Sequence, residues 1–187
     1  MLDVNQIAPE RLRSLRRNEY DVLVENGLFA DERVELLAGA LVEMTPPGAP
    51  HADAVGRLTM LLAPALVGRA MVRVQSPLAL SEESEPEPDL AVVPQEDYRR
   101  DHPRQGLLLV EVAETSLRKD LGIKAALYAA GGVREYWVLD VATRAIHVHR
   151  DPSRGGYKQI VAIGPGGSVA LQSFPDVVIR VDDVLPP

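Results

Sequence analysis

The feature that most constrains this chain is a run of apolar residues with one acid inside it: Leu107-Leu108-Leu109-Val110-Glu111-Val112-Ala113. A run this short, rich in Leu and Val and without polar alternation, predicts a central strand covered on both faces. Glu111 then stands where an unpaired charge would cost several kcal/mol, on the order of the penalties for buried ions. A partner is required. The helical pattern from about Ser116 to Ala130, N-capped by Thr115 or Ser116 and closed by Gly131-Gly132, offers one. At roughly 100° per residue, Leu117, Leu121, Lys124 and Tyr128 fall within about 60° of one another, so Lys124 lies in the apolar stripe and faces the same difficulty.

The order of elements around this pair predicts a mixed α/β (α+β) chain. A surface helix is expected over Pro9 to Asn26. Val34–Leu37 and Ala40–Met44 are expected to form a hairpin closed at Ala38-Gly39, followed by a helix over Ala52 to Val67 that Pro64 shortens or kinks. Extended stretches are expected at Ala70–Gln75, Pro77–Leu80, Asp89–Val93, Glu135–Asp140, Ala145–His149, Tyr157–Ile163, Val169–Leu171 and Val177–Val181. No internal repeat or linker stands out, so residues 1–187 are expected to be one domain.

Composition excludes several chemistries. There is no cysteine, which removes disulfides, thiolate zinc sites, iron–sulfur clusters and a thiol nucleophile. With 20 Lys plus Arg against 27 Asp plus Glu, the formal charge is −7, which argues against binding nucleic acid through a broad basic surface and leaves a local cleft or a bound cation as the alternative. No apolar run approaches the roughly 20 residues that span a bilayer, and the start lacks a signal-like segment, so no membrane association and a cytoplasmic location are expected. Neither a phosphate-binding Gly-rich loop nor a Gly-X-Ser-X-Gly elbow occurs, so no nucleotide cofactor is expected.

Asp89, after Pro88 and the acidic stretch Glu82, Glu83, Glu85 and Glu87, joins Glu111 and Lys124 as a candidate. Two accounts fit the three residues: a structural ion pair, or a site where Asp89 and Glu111 hold a divalent ion and Lys124 faces a reacting phosphate. His51 is read as a cap, a surface imidazole or an acid/base group; Tyr128 as packing or a hydrogen-bond donor; Tyr136 and Trp137 as core or dimer residues. His147 and His149 show a zinc-compatible spacing, but with no third ligand evident a solvent-facing strand is expected.

The stretches Glu87-Pro88-Asp89-Leu90, Val110-Glu111-Val112, Asp120/Lys124/Tyr128 and Gly132 through Asp140, together with Val34–Leu37, Gly39, Leu41–Met44, Pro46-Pro47 and His51, resemble the Uma-two family of restriction-endonuclease-like proteins over about residues 10 to 185. The resemblance implies the PD-(D/E)XK nuclease fold, a central mixed sheet flanked by helices. It implies an endonuclease that hydrolyses DNA phosphodiesters with Mg²⁺ (or Mn²⁺), Asp89 and Glu111 at the metal-ligand positions and Lys124 at the lysine position. The Val112 carbonyl is a further metal ligand in this reading. Asp120 holds Lys124 in register, Glu35 is a third ligand or water-orienting carboxylate if it is not simply an exposed strand acid, and a homodimer supplies two sites for two strands. One departure bears on the chemistry: Ala113 stands where the wider superfamily has its lysine, so the cation must come from the helix. The alternative is a catalytically silent member that keeps the fold as a binding or dimerisation module.

Overall fold

The computed structural model describes residues 13–187. Of the first predicted helix, the described part forms α1 (Arg17–Glu25), while Pro9 to Leu12 lie outside the described residues. A hairpin follows, β1 (Val34–Leu37) paired antiparallel with β2 (Ala40–Glu43). Its two-residue turn has Ala38 at φ 49° and Gly39 at φ 79°, the pair of positive values that matches the twist of the flanking strands. Helix α2 (Ala49–Ala65) starts earlier than the periodicity predicts, because Pro50 fits a first turn whose N–H groups need no intrahelical acceptor. Pro64 falls in the last turn and ends the helix there.

The centre is a six-stranded sheet in the order β3 (Met71–Val74), β4 (Leu90–Val93), β5 (Leu108–Ala113), β6 (Glu135–Asp140), β7 (Ala145–Ser153) and β8 (Gly156–Ile163). Neighbours are antiparallel except β5 and β6, whose parallel pairing requires the helical crossover between them. That crossover consists of α3 (Leu117–Lys119), a π-helical turn (Asp120–Lys124) and α4 (Ala125–Ala130). A short pair, β9 (Ser168–Ala170) with β10 (Val178–Arg180), leads to α5 (Val181–Val184).

Alternation along the strands sorts the core into two layers. Leu90 and Val92 of β4, Leu108, Val110 and Val112 of β5, and Trp137 and Leu139 of β6 face α2 and α5. Ala91, Val93, Leu109, Ala113, Tyr136 and Val138 face the α4 side, against Tyr128 and Ala129. Every residue of β5 is buried, as the apolar run predicts. Glu111 has the parity of Leu109 and Ala113, and Asp89 that of Ala91, so both acids belong to the crossover-helix face.

Three expectations are corrected. Pro77–Leu80 does not join the sheet: Leu78 and Ala79 donate instead to the carbonyls of Pro86 and Pro103, and Pro77 has no N–H for a ladder. The helix after β5 is not a regular α-helix. The strand carrying His147 and His149 is not solvent-facing, because β7 lies between β6 and β8: His149 is 2% exposed and packs between Tyr136 and Tyr157, with centroids at 5.4 and 5.6 Å.

One buried acid away from this face, Glu135, is structural. Glu135 is fully buried, yet its Oε1 accepts from Trp137 Nε1 at 3.1 Å and Arg150 Nε at 2.9 Å, and its Oε2 accepts from the Gln172 N–H at 2.7 Å. This carboxylate joins β6, β7 and the segment after β9, with its lone pairs satisfied.

Candidate active site

The site begins where β4 and β5 stop pairing. Their register is Val92↔Leu108, Ala91↔Leu109 and Leu90↔Val110. One further step would put Asp89 opposite Glu111, and two steps would put Pro88 opposite Val112. Pro88 has no N–H to contribute, and the strands part there. The Val112 N–H, left without a partner strand, donates to Asp89 Oδ2 at 2.8 Å. The two acids thus sit across from each other at a fork in the sheet, on the same face.

The crossover helix supplies the cation. Lys124 Nζ lies 2.9 Å from Glu111 Oε1 and 3.0 Å from Glu35 Oε2, and Lys124 is 2% exposed. Tyr128, one turn on, donates its hydroxyl to the same Glu111 oxygen at 2.7 Å. Glu35, on β1, also accepts the Glu87 N–H at 3.2 Å, and Lys119 Nζ stands 3.5 Å from its Oε1. An α-helix separates residues five apart by about 140°, so Lys119 and Lys124 would point away from each other. The π turn bonds i to i+5 and brings both lysines onto one carboxylate, the kind of local widening found at functional sites.

Asp89, Glu111, Val112, Lys124, His51 and Asp120 line one cavity of about 100 Å³. All the sequence-predicted site residues therefore converge on it or on its walls, with Glu35 and Tyr128 one contact behind. Asp120, however, does not pair with Lys124. Its carboxylate accepts from the Ser116 hydroxyl, and its backbone carbonyl accepts from Tyr136 Oη at 3.1 Å. It fixes the start of the π turn, and Glu35 takes the lysine-holding role expected of it. Lys119, Arg33 and Glu114 also line the cavity and were missed by sequence reasoning. For Lys119 the signal was the five-residue spacing to Lys124, which becomes informative only once a π turn is known.

Burial, the largest influence on Glu111, pushes its carboxyl up, while Lys124 pulls it down and Asp89 adds to the rise. For Lys124, burial is again largest and favours the neutral amine. Attraction to Glu111 and Glu35 outweighs it and holds the ammonium above its ordinary value. Burial likewise raises Asp120 and Tyr128, so Tyr128 remains a donor.

His51, near the start of α2, places Nε2 3.0 Å from Asp89 Oδ2. This hydrogen bond raises the imidazole above its ordinary value against the opposing effect of burial. A group raised on folding adds stability that is complete below its unfolded value, about 6.5, and lost as pH rises through the folded value. An NMR pH titration of His51 should give a midpoint above that of a free histidine, and Asp89→Asn should bring it back down. A midpoint below the ordinary value in the unaltered protein would show that the contact does not hold in solution.

The donor set suits a hard divalent cation. Asp89 Oδ1 and Glu111 Oε2 accept no hydrogen bond from the described residues, while their other oxygens are tied down. Two carboxylates with most waters retained is a usual Mg²⁺ environment. Among the described residues no group of three or more His, Cys, Asp or Glu side chains is placed to hold a metal ion, so the set rests on these two carboxylates.

Comparison with known proteins adds the lineage. A crystal structure described as a putative nuclease belonging to DUF820, from Anabaena variabilis, superposes with a TM-score of 0.62 at 14% identity, covering 83% of this chain and 90% of that one. At this identity the likeness concerns the fold. No curated protein matches the chain. Residues 18–182 match the Uma2 family, whose description is putative restriction endonuclease. With a central mixed sheet flanked by helices and a match over most of its length, the chain belongs to the Uma2 family of restriction-endonuclease-like proteins.

Proposed function

We propose that this protein is a divalent-metal-dependent endonuclease that hydrolyses phosphodiester bonds in DNA, and that it acts in the cytoplasm as a homodimer cutting two strands. The observation that carries the reading is the convergence of Asp89, Glu111 and Lys124, residues far apart in sequence, on one cavity. A bound Mg²⁺ or Mn²⁺ would be held by Asp89, Glu111 and the Val112 carbonyl, and would neutralise phosphate charge and ease deprotonation of a water.

The protein's own residues do the rest. Lys124, tethered by two carboxylates yet facing the cavity, is placed to donate to a scissile-phosphate oxygen or to orient the attacking water. Tyr128 fixes the rotamer of Glu111, and His51 with the Val112 N–H fixes that of Asp89. In a chain of net charge −7, phosphate must be drawn in locally, and Lys119 at the cavity, 3.5 Å from Glu35, supplies that charge.

The test is cutting of supercoiled plasmid in Mg²⁺ and in Mn²⁺. The unaltered protein should nick or linearise it, and Asp89→Ala and Glu111→Ala should each reduce the rate at least about a thousandfold, on the order of 4 kcal/mol of barrier. Cutting that persists unchanged in both variants removes the assignment. A chain that folds but cuts no nucleic acid under any metal is the silent binding module instead.

A further inference from the structure

A second cavity, of about 480 Å³, opens between α1, the segment leading to β1, and the loop at residues 98–102. It lies within the roughly 300–1,000 Å³ of small-ligand sites. The buried acid in its wall is Glu85, 4% exposed, whose Oε2 is buried and without a hydrogen-bond partner. Its nearest basic groups stand beyond hydrogen-bond reach, Arg17 Nη1 at 3.7 Å and His102 Nε2 at 3.8 Å. The same Arg17 nitrogen is 3.4 Å from Asp21 Oδ2 and 3.8 Å from Asp101 Oδ1, so one guanidinium is spread over three carboxylates.

The other charges do not correct this shortage. Burial, with Arg73 adding to it, lowers His102 below its ordinary value and keeps it neutral near pH 7. Arg33 is taken by Glu87, and Arg99 by Asp97. Arg100 has no carboxylate partner among the described residues, but neither do Glu25 and Glu32 on the same wall have a cation. The apolar part of the lining combines Val24, Val34 and Pro77 with aromatic rings: Tyr20 and Phe29 stack with centroids 5.9 Å apart, and Tyr98, with the Arg73 guanidinium 5.7 Å from its centroid, lines the same space. Burial, the largest influence, pushes the Glu85 carboxyl up to about 7, and an aromatic wall beside such an undersupplied acid is an environment in which a planar organic cation supplies the missing charge.

We propose that this cavity receives a guanidinium group, carried either by a small free molecule or by an arginine side chain of a partner protein. The fork donates to Glu85 Oε1, the oxygen of this carboxyl that is not enclosed, and shares Asp21 with Arg17, while its flat face lies on an aromatic ring. The site is separate from the carboxylate–lysine centre but shares a wall with it. Arg33 lines both cavities, and Glu87, its partner, donates its N–H to Glu35, which holds Lys124. The inference does not require the nuclease reading, since binding is measured without metal and without cleavage.

Calorimetry on the full chain in metal-free buffer tests it, with N-acetyl-arginine amide, its uncharged isostere N-acetyl-citrulline amide, agmatine, and a capped Gly-Gly-Arg-Gly-Gly peptide as probes. The arginine amide should bind at least about tenfold more tightly than the citrulline amide, and Glu85→Gln should remove that advantage. Agmatine binding above the peptide marks a small-molecule site, and the reverse marks a protein partner. Equal binding of the two amides, unchanged affinity in Glu85→Gln, or no binding of any probe at millimolar concentration overturns the proposal. Should Glu85→Gln fail to fold, Asp21→Asn at the rim should show the same loss.

Discussion

Lys124→Met should lower the free energy of unfolding by about 3–5 kcal/mol at alkaline pH, the cost of leaving buried carboxylates without their cation. Methionine fills nearly the same space, so the loss is electrostatic rather than a cavity effect. Lys124 is 2% exposed, and its ammonium is within 3.0 Å of both Glu35 and Glu111. Glu35 keeps Lys119 nearby and the Glu87 N–H, whereas Glu111 keeps only the Tyr128 hydroxyl. Glu111 therefore escapes by taking up a proton.

The sign of the pH dependence follows. A carboxyl raised on folding binds its proton more tightly in the native state, so its contribution is complete below the ordinary glutamate value, about 4.3, and is lost as pH rises through the folded value. Removing Lys124 raises Glu111 further. Burial pushes Glu111 up to about 8 in the unaltered protein, so the deficit should be smallest at neutral and acid pH and grow as pH rises through that value, and Lys124→Met combined with Glu111→Gln should recover most of the alkaline part. Urea unfolding of the single and double variants at two pH values measures this. A single-variant loss under about 1 kcal/mol, or one that does not change with pH, would mean the pair is solvated after all.

That Lys124 needed a buried partner was legible from helical spacing, and that Glu111 needed one was legible from its apolar strand. Their meeting follows from a short crossover that returns to the neighbouring parallel strand. Two things were not legible. Asp120 lies four residues before Lys124 and in an α-helix would be its neighbour, but the π turn and the Ser116 hydroxyl direct it elsewhere. Glu35 becomes the lysine's second anchor only because the β1–β2 hairpin docks on the segment before β4 through a bridge between Leu36 and Glu85, a contact with no periodic signature. The His147 and His149 strand was misread for a similar reason: two polar residues on alternate positions look solvent-facing until β8 adds a further strand and Tyr157 covers the ring of His149.

Asp89→Asn and Asp89→Ala should separate the two jobs of one carboxylate. Its Oδ2 accepts from the Val112 N–H and His51, while Oδ1 is open toward the cavity. Asparagine keeps an oxygen for the Val112 N–H but carries no charge for a divalent ion. Alanine keeps neither, and leaves a buried N–H unpaired at a cost of about 1–3 kcal/mol. Asp89→Asn should therefore stay within about 1 kcal/mol of the unaltered protein in urea unfolding, while Asp89→Ala falls below it by the larger amount. Both should lose plasmid cutting at least about a thousandfold, and Mn²⁺, which should raise the melting temperature of the unaltered protein, should leave that of both variants unchanged. An Asp89→Asn variant that is as destabilised as Asp89→Ala would assign Asp89 to the fold rather than to metal. One that cuts normally would place the reacting centre elsewhere. The fork between β4 and β5 makes this separation possible, because the sheet gives up one strand–strand hydrogen bond at the point where the acid can replace it and still present its second oxygen to the cavity.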